Sequence, residues 1–185
     1  NANTDCYDLS IDLHAGANLI SFPALPGDVS IPAIFDGFLG GTGILGEGVG
    51  TINIGTQEQP NWIGSLTEVS QDDGYWVKIN SDATLSVSNS DPVSYDTDGE
   101  VSYDIHFGNN LISYPFQTEQ SPEEALGNAA VNVYAIAGEG NATLNTIDGW
   151  MGSLRTLEGE RGYWLVATDD FTFSYNGTSN NLTRT

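Results

Sequence analysis

Four groups of side chains in this sequence have types and spacing suited to chemistry. His14 and His106 each lie two residues after an acid, Asp12 or Asp104. On a strand, residues i and i+2 share a face, so an Asp-x-His pair can orient an imidazole for base catalysis or hold a metal. The nearest nucleophiles are Ser21 and Ser113, and no Gly-x-Ser-x-Gly elbow surrounds either. Glu47 and Glu139 each stand between glycines, which let the backbone turn sharply and leave a carboxylate accessible. Two such acids about 5 to 9 Å apart can serve as acid and base in glycoside hydrolysis. Trp62, Trp76, Trp150 and Trp164, with Tyr75 and Tyr163, offer stacking platforms for sugars. Asp96, Asp98 and Glu100, in Asp96-Thr97-Asp98-Gly99-Glu100, resemble part of a calcium loop.

Each group also has a plainer reading. The histidines can hydrogen-bond a turn. The Gly-Glu-Gly acids can cap a neighbouring N–H in a tight turn. In Gly-Tyr-Trp the two rings point to opposite faces of a strand, so one of each pair belongs to a core. The acidic run lacks the third Asp before its Gly and the terminal Glu at the spacing of a full calcium loop. It also reads as a solvated linker. No P-loop, dinucleotide-binding glycine set, His-Glu-x-x-His or triad order is present.

These residues recur. Ile11 to Pro23 returns as Tyr103 to Pro115, including Gly-x-Asn-Leu-Ile-Ser-x-Pro. Ile44-Leu45-Gly46-Glu47-Gly48 returns as Ile136-Ala137-Gly138-Glu139-Gly140. Trp62-Ile63-Gly64-Ser65-Leu66 and Gly74-Tyr75-Trp76-Val77 return as Trp150-Met151-Gly152-Ser153-Leu154 and Gly162-Tyr163-Trp164-Leu165. The offset slips between Gly48 and Trp62, where loop lengths differ. Both histidines and all four tryptophans pair across the copies, the signature of a duplicated unit. A residue that recurs in this way serves the unit's own packing or turns more readily than an asymmetric reaction.

The elements that must position these residues are short strands. Asp8 to His14 alternates, with Leu9, Ile11 and Leu13 on one face. Ala15 to Asn18 reads as a turn and Leu19 to Phe22 as a strand stopped by Pro23. The second copy repeats the plan with Tyr103 to His106, a turn over Phe107 to Asn110, and Leu111 to Tyr114. Ser121-Pro122-Glu123-Glu124 predicts a short capped helix ended by Gly127-Asn128, with Ser30 to Phe35 as its counterpart. Val131 to Ala137 and Gly43 to Leu45 lead into the two Gly-Glu-Gly turns. Further strands are expected over 62–66, 74–79 and 84–87, and over 150–154, 162–167 and 171–175. The expected fold is mainly β with short helices: two homologous β-rich repeats, 9–87 and 103–175, packed with pseudo-twofold symmetry. Residues 88–102 read as the linker and 176–185 as a polar tail.

Composition bounds the partners. The chain carries 25 acidic side chains against four basic ones, a net charge of −21. That argues against nucleic acid, whose backbone needs clustered Lys and Arg, and against anionic membrane surfaces. It favours solubility in salt and attraction of cations, with calcium the cofactor to consider. No apolar run reaches the roughly 20 residues of a membrane span. Cys6 stands alone, so a zinc site of Cys-x-x-Cys type is excluded and any disulfide would be intermolecular. Asn1 in place of an initiator Met suggests a processed form or an excised fragment. Asn141, Asn176 and Asn181 each head a glycosylation sequon.

The stretches Gly16 to Pro23 and Gly74 to Lys78 resemble the tandem "GxNLISFP…WxGSL…GYWVK" repeat module of secreted and surface bacterial proteins, also present in marine microbes and phages. The resemblance covers about residues 9–87 and 103–175; the second copy departs at Val166, where the basic Lys78 has no counterpart. It carries no catalytic residues over. It implies an exterior location at a cell surface, an extracellular fibre or a virion. The expected function is accordingly a non-enzymatic structural or adhesive module, partnered by itself, by other surface or virion proteins, or by glycans. A carbohydrate-binding module using the paired Trp and Tyr is the alternative. A glycan or peptide hydrolase using the paired Glu or Asp-x-His is a third.

Overall fold

Alternation decides the first strand. In the computed structural model, which describes residues 7–92 and 101–177, Leu9, Ile11 and Leu13 are buried while Asp8, Ser10 and Asp12 face solvent. This strand, β1 (Tyr7–Leu13), leads through His14-Ala15 into β2 (Gly16–Ser21). The first half continues with β3 (Ala24–Leu25), α1 (Ile31–Ile34), β4 (Gly43–Leu45), β5 (Gly50–Asn53), β6 (Trp62–Gly64), β7 (Gly74–Ile79) and β8 (Ala83–Pro92). The second half repeats the order as β9 (Tyr103–Ile105), β10 (Gly108–Ser113), α2 (Pro122–Leu126), β11 (Val133–Ala137), β12 (Ala142–Thr146), β13 (Gly149–Gly152), β14 (Gly162–Ala167) and β15 (Phe171–Phe173). A 3-10 helix, Gly127–Asn132, joins α2 to β11.

Each half holds one five-stranded antiparallel sheet, ordered β2-β7-β4-β5-β6 in the first and β10-β14-β11-β12-β13 in the second. A smaller sheet covers one face of each: β1-β8-β3 in the first half, β15-β9 in the second. The chain passes from small sheet to large at the corners β1–β2 and β9–β10. Leu9, Ile11, Leu13, Val77, Ile79 and Leu85 fill the space between the first pair of sheets. Tyr103, Ile105, Tyr163, Leu165 and Phe173 fill the second. Two separate cores of one plan confirm the expected architecture of two similar β-rich halves.

The helices follow their caps. Ser121 and Glu124 form the reciprocal capping box, with Pro122 in the first turn. Ser30 makes no side-chain cap, although Pro32 also occupies the first turn of α1.

Several expected boundaries move. β2 and β10 begin at Gly16 and Gly108, inside the stretches expected as turns, because Asn18 and Asn110 make the corner with side chains rather than backbone. β5 and β12 were not anticipated; they are the return strands of hairpins turned at Gly-Glu-Gly. β6 and β13 stop at Gly64 and Gly152 and β15 at Phe173, short of the ranges expected, and β11 starts at Val133 because the 3-10 helix takes up 131–132. β8 runs on to Pro92, pairing Ala24 and Leu25 with Pro92 and Asp91, so the first residues of the expected linker are strand. The four-residue slip falls in the β5–β6 connection: Asn53 pairs Trp62 but Asn145 pairs Trp150.

The halves meet along a seam that repeats itself. Ser21 N–H donates to the Glu160 carbonyl at 3.0 Å, and Ser113 N–H donates to the Asp72 carbonyl at 2.9 Å. Leu19 and Leu111 are buried, yet belong to neither half's own core. Leu19 lies over Gly162 and Leu111 over Gly74. Burying a leucine contributes about 1.5–3 kcal/mol, so this reciprocal pair favours docking. The glycines are required by space: a Cβ on Gly74 would stand 2.8 Å from the Ile112 carbonyl oxygen, and one on Gly162 would stand 2.6 Å from that of Ile20. Gly74→Ala and Gly162→Ala are each expected to cost about 1–3 kcal/mol by overpacking in urea melts. Gly27→Ala, where nothing lies within 4 Å, should be near neutral.

Candidate functional site

The recurrent polar residues come together at the seam, and they come together with one another. The corner after β1 is closed by Asn18, whose side chain is buried. Its Oδ1 accepts from His14 N–H at 2.9 Å, and its Nδ2 donates to the carbonyls of His14 at 2.9 Å and Val77 at 3.2 Å. Asn110 does the same for His106, accepting from its N–H at 3.0 Å and donating to its carbonyl at 2.8 Å. Gly16 and Gly108 precede these asparagines with φ of 111° and 96°, a conformation that only glycine takes cheaply. The Gly-x-Asn of the repeat is thus a backbone corner that presents a histidine.

The acid comes from the opposite half. His14 Nε2 meets Glu139 Oε1 at 2.5 Å, and Glu139 Oε2 accepts from Leu19 N–H at 2.9 Å. His106 Nε2 meets Glu47 Oε1 at 2.6 Å, and Glu47 Oε2 accepts from Leu111 N–H at 2.8 Å. Each Gly-Glu-Gly turn, at the tip of β4–β5 or β11–β12, therefore reaches across to the other half's corner. Each carboxylate binds one imidazole and a backbone N–H in the middle of the other half's β2 or β10.

The geometry biases the protonation of the rings. His14 Nδ1 faces the Ala15 carbonyl at 2.9 Å, and His106 Nδ1 faces that of Phe107 at 2.8 Å. A carbonyl and a carboxylate are both acceptors, so this geometry favours the doubly protonated ring, the imidazolium, in each histidine. In both, the backbone carbonyl first and then the glutamate hold the pKa above the ordinary histidine value. Asp82 and Asp170 add to this field while accepting from Ala15 N–H and Phe107 N–H.

Asp12 and Asp104 do not orient the histidines. They accept instead from Thr84 Oγ1 at 2.7 Å and Thr172 Oγ1 at 3.0 Å across their small sheets. Ser21 Oγ donates to the Arg161 carbonyl at 2.7 Å, and Ser113 Oγ pairs with the Tyr103 hydroxyl at 2.8 Å. Neither serine is within hydrogen-bond reach of a histidine, so no nucleophile–base pair forms. Glu47 and Glu139 each have both oxygens engaged.

The aromatic pairs divide as strand alternation requires. Tyr75 and Tyr163 are buried, and their hydroxyls accept from Ser70 N–H and Glu158 N–H, both at 2.7 Å. Burial raises Tyr75 beyond the usual phenol range and Tyr163 to about 12. Trp62 packs on Phe35 against the first core and Trp150 against the second. Trp76 and Trp164, half-buried, line one open cleft of about 420 Å³ with Leu45, Val49, Ser65 and Leu111. Asp96, Asp98, Glu100 and Cys6 lie outside the described residues. Among the described residues no group of three or more His, Cys, Asp or Glu side chains is placed to hold a metal ion. No helix there is long and apolar enough to cross a membrane.

Two things escaped the sequence reading: the pairing of His with Glu across halves, and the asparagine corner. The signal for both was that His, Asn and Glu all recur as a set. Comparison of the chain with protein-family models, curated proteins and solved structures found no match.

The seam should respond to pH. A histidine whose folded pKa is raised stabilises the fold fully below the unfolded value of 6.5, and this is lost as pH rises through the folded value. Asp73 adds to the same trend. Desolvation at the seam, with the charge of Asp72, pushes its carboxyl up to about 6, so ionising it between about pH 4 and 6 costs stability. Melting temperature should therefore fall from pH 5.5 to pH 9. The double variant His14→Gln, His106→Gln, which keeps a neutral donor, should flatten the limb above pH 6.5. An unchanged profile in that variant would contradict the imidazolium assignment.

Proposed function

We propose that this chain is a non-enzymatic structural or adhesive module of an exterior assembly: a fibre, a virion appendage or a cell-surface layer. One observation carries the reading. The recurrent residues best suited to catalysis, His14, His106, Glu47 and Glu139, are consumed in holding the two halves together. The strong acidity supports an environment in which salt screens self-repulsion. The exposed apolar side chains Ile52, Ile63, Leu144 and Met151, on the outer strands of the two large sheets, support contacts with other protein surfaces.

Light scattering with and without calcium tests this reading. Growth of mass above that of one chain supports it, and calcium dependence would bring the acidic stretch 96–100 into the assembly. A strict monomer under every condition counts against it.

The Trp76–Trp164 cleft favours carbohydrate binding as the second reading, since two half-exposed indoles line it beside Ser65. A glycan array distinguishes the two. Binding that is abolished by Trp76→Ala and Trp164→Ala would support the second; no binding to any polysaccharide would remove it.

A further inference from the structure

We infer that the pocket lined by Arg161, at the seam, binds a small hydroxy-carboxylate of the sugar-acid class. The inference goes beyond both readings above, since neither assembly nor the Trp76–Trp164 cleft uses this pocket. Asn141, Thr156, Glu158, Arg161 and Tyr163 line it from the second half, and His14 and Leu19 from the first. Its volume is about 240 Å³. That is below the roughly 300–1,000 Å³ of sites for drug-sized ligands, so it suits one small unit rather than a chain.

The duplication singles this pocket out, because the fold builds the place twice. Asp73 stands where Arg161 does: Asp73 bridges to Ile112 and Arg161 to Ile20, both antiparallel. Val49 lies over Gly46 beside the Tyr75 ring, as Asn141 lies over Gly138 beside that of Tyr163. The Tyr75 hydroxyl accepts from Ser70 N–H, as the Tyr163 hydroxyl accepts from Glu158 N–H. Thr156 holds the register of Glu68, two residues after the recurrent Leu154 or Leu66. The backbone is shared and the side chains are not.

In the first half this place holds its own carboxylate. The Tyr75 hydroxyl donates to Asp73 Oδ2 at 3.4 Å, while burial beside Asp72 pushes that carboxyl up to about 6. Among the described residues no base offsets that cost. In the second half the carboxylate is gone and a guanidinium takes its position. Among the described residues, the Arg161 guanidinium makes no hydrogen bond or ion pair, and the Tyr163 hydroxyl donates to none of them. The positive charge of Arg161 does act on the Tyr163 hydroxyl, so the cation lies near it. An incoming carboxylate can therefore take the place that Asp73 fills in the first half, with a charge-assisted partner that Asp73 lacks.

The remaining groups suit hydroxyls. With Asn141 for Val49 and Thr156 for Glu68, neutral polar side chains replace an apolar one and an acid. Glu158, exposed and in place of Ser70, repels a second carboxylate but accepts from a hydroxyl. Glu139, in the same pocket, is already engaged by His14 and the Leu19 N–H. A ligand that is anionic at one end and bears hydroxyls at the other meets all of these, and that is the pattern of a sugar acid. The net charge of −21 repels any anion at long range. Salt at about 0.15 M screens this beyond about 8 Å, while a contact to Arg161 persists.

Isothermal titration of the full chain at about 0.15 M salt tests the site, with glucuronate, glucose, acetate and a uronate oligomer as probes. Glucuronate should bind about tenfold or more tightly than glucose, the size of one hydrogen bond to a charged group. It should also bind more tightly than acetate, which has no hydroxyls. Arg161→Asp, which installs the first half's residue, and Arg161→Gln should each remove the preference over glucose, and Asn141→Val should weaken glucuronate. The Arg161 side chain holds no described residue, so melting temperatures should not change. Were both Arg161 variants to melt early, Asn141→Val, at an exposed position, would carry the test on its own. An oligomer that binds like glucuronate supports the site with the end of a polysaccharide as source; one that does not bind while glucuronate does supports it with the free acid. Glucuronate that binds no more tightly than glucose or acetate, or binding that survives in folded Arg161 variants, would overturn the site. None of these outcomes alters the mass measured by light scattering without sugar, so the assembly reading stands or falls separately.

Discussion

A carboxylate that spans from one half of the chain to an imidazolium and a backbone N–H of the other is the contact on which the rest of this structure depends. The chain carries 25 acids against four bases, so bringing its halves together is opposed by charge at most points. Glu47 and Glu139 reverse this at two points. Each meets a histidine whose protonated form its neighbours favour, and charge-assisted hydrogen bonds of this kind are stronger than neutral ones. The second oxygen of each satisfies the N–H of Leu19 or Leu111. Those leucines are the apolar contribution to the seam, so one carboxylate fixes both the polar and the apolar halves of the contact.

This arrangement accounts for the glycines. Gly46 and Gly138 pack closely on the rings of Tyr75 and Tyr163, and Gly48 and Gly140 take φ of 71° and 77°. A side chain at Gly138 would meet Asn141 at 2.6 Å, and a β-carbon at Gly48 or Gly140 would strain the turn. The tip can therefore be sharp enough to project its single acid. Gly-Glu-Gly and Gly-x-Asn are complementary parts of one joint: the first projects a carboxylate, and the second offers an imidazolium and an N–H. Because each half contains both parts, the joint forms twice.

The two-copy organisation, the β-rich class, the first strand and the helix caps were legible because each rests on local pattern: recurrence, alternation, or Ser-Pro-Glu-Glu. The candidate residues were legible as a set, and their roles were not. His14 and Glu139 are 125 positions apart, and nothing in strand periodicity says which half an acid will reach toward. The nearer acids Asp12 and Asp104 looked like the partners because they share a strand face with the histidines. That argument holds within a strand, but the chain leaves β1 and β9 at the corner, and the imidazole turns with it toward the other half. β5 and β12 were hidden by brevity, since Thr51-Ile52-Asn53 and Thr143-Leu144-Asn145 alternate for too few residues to stand out.

Duplication also bears on what the surface can do. Leu19, Leu111, Trp76 and Trp164 stand on the faces of the large sheets that turn away from their own cores; the seam buries the two leucines and covers the tryptophans only in part. The same faces continue outward to Ile52 and Ile63 in one half and to Leu144 and Met151 in the other, where none of the described residues covers them. A single half would expose the whole face. Joining two halves through β2 and β10 buries the inner part of each and necessarily leaves two outer parts. An internal twofold of this kind gives every feature away from its axis twice, so any affinity of one outer face for another molecule is doubled by construction. The arrangement that engages each histidine with a glutamate of the other half is the same one that leaves the outer face of each large sheet uncovered twice.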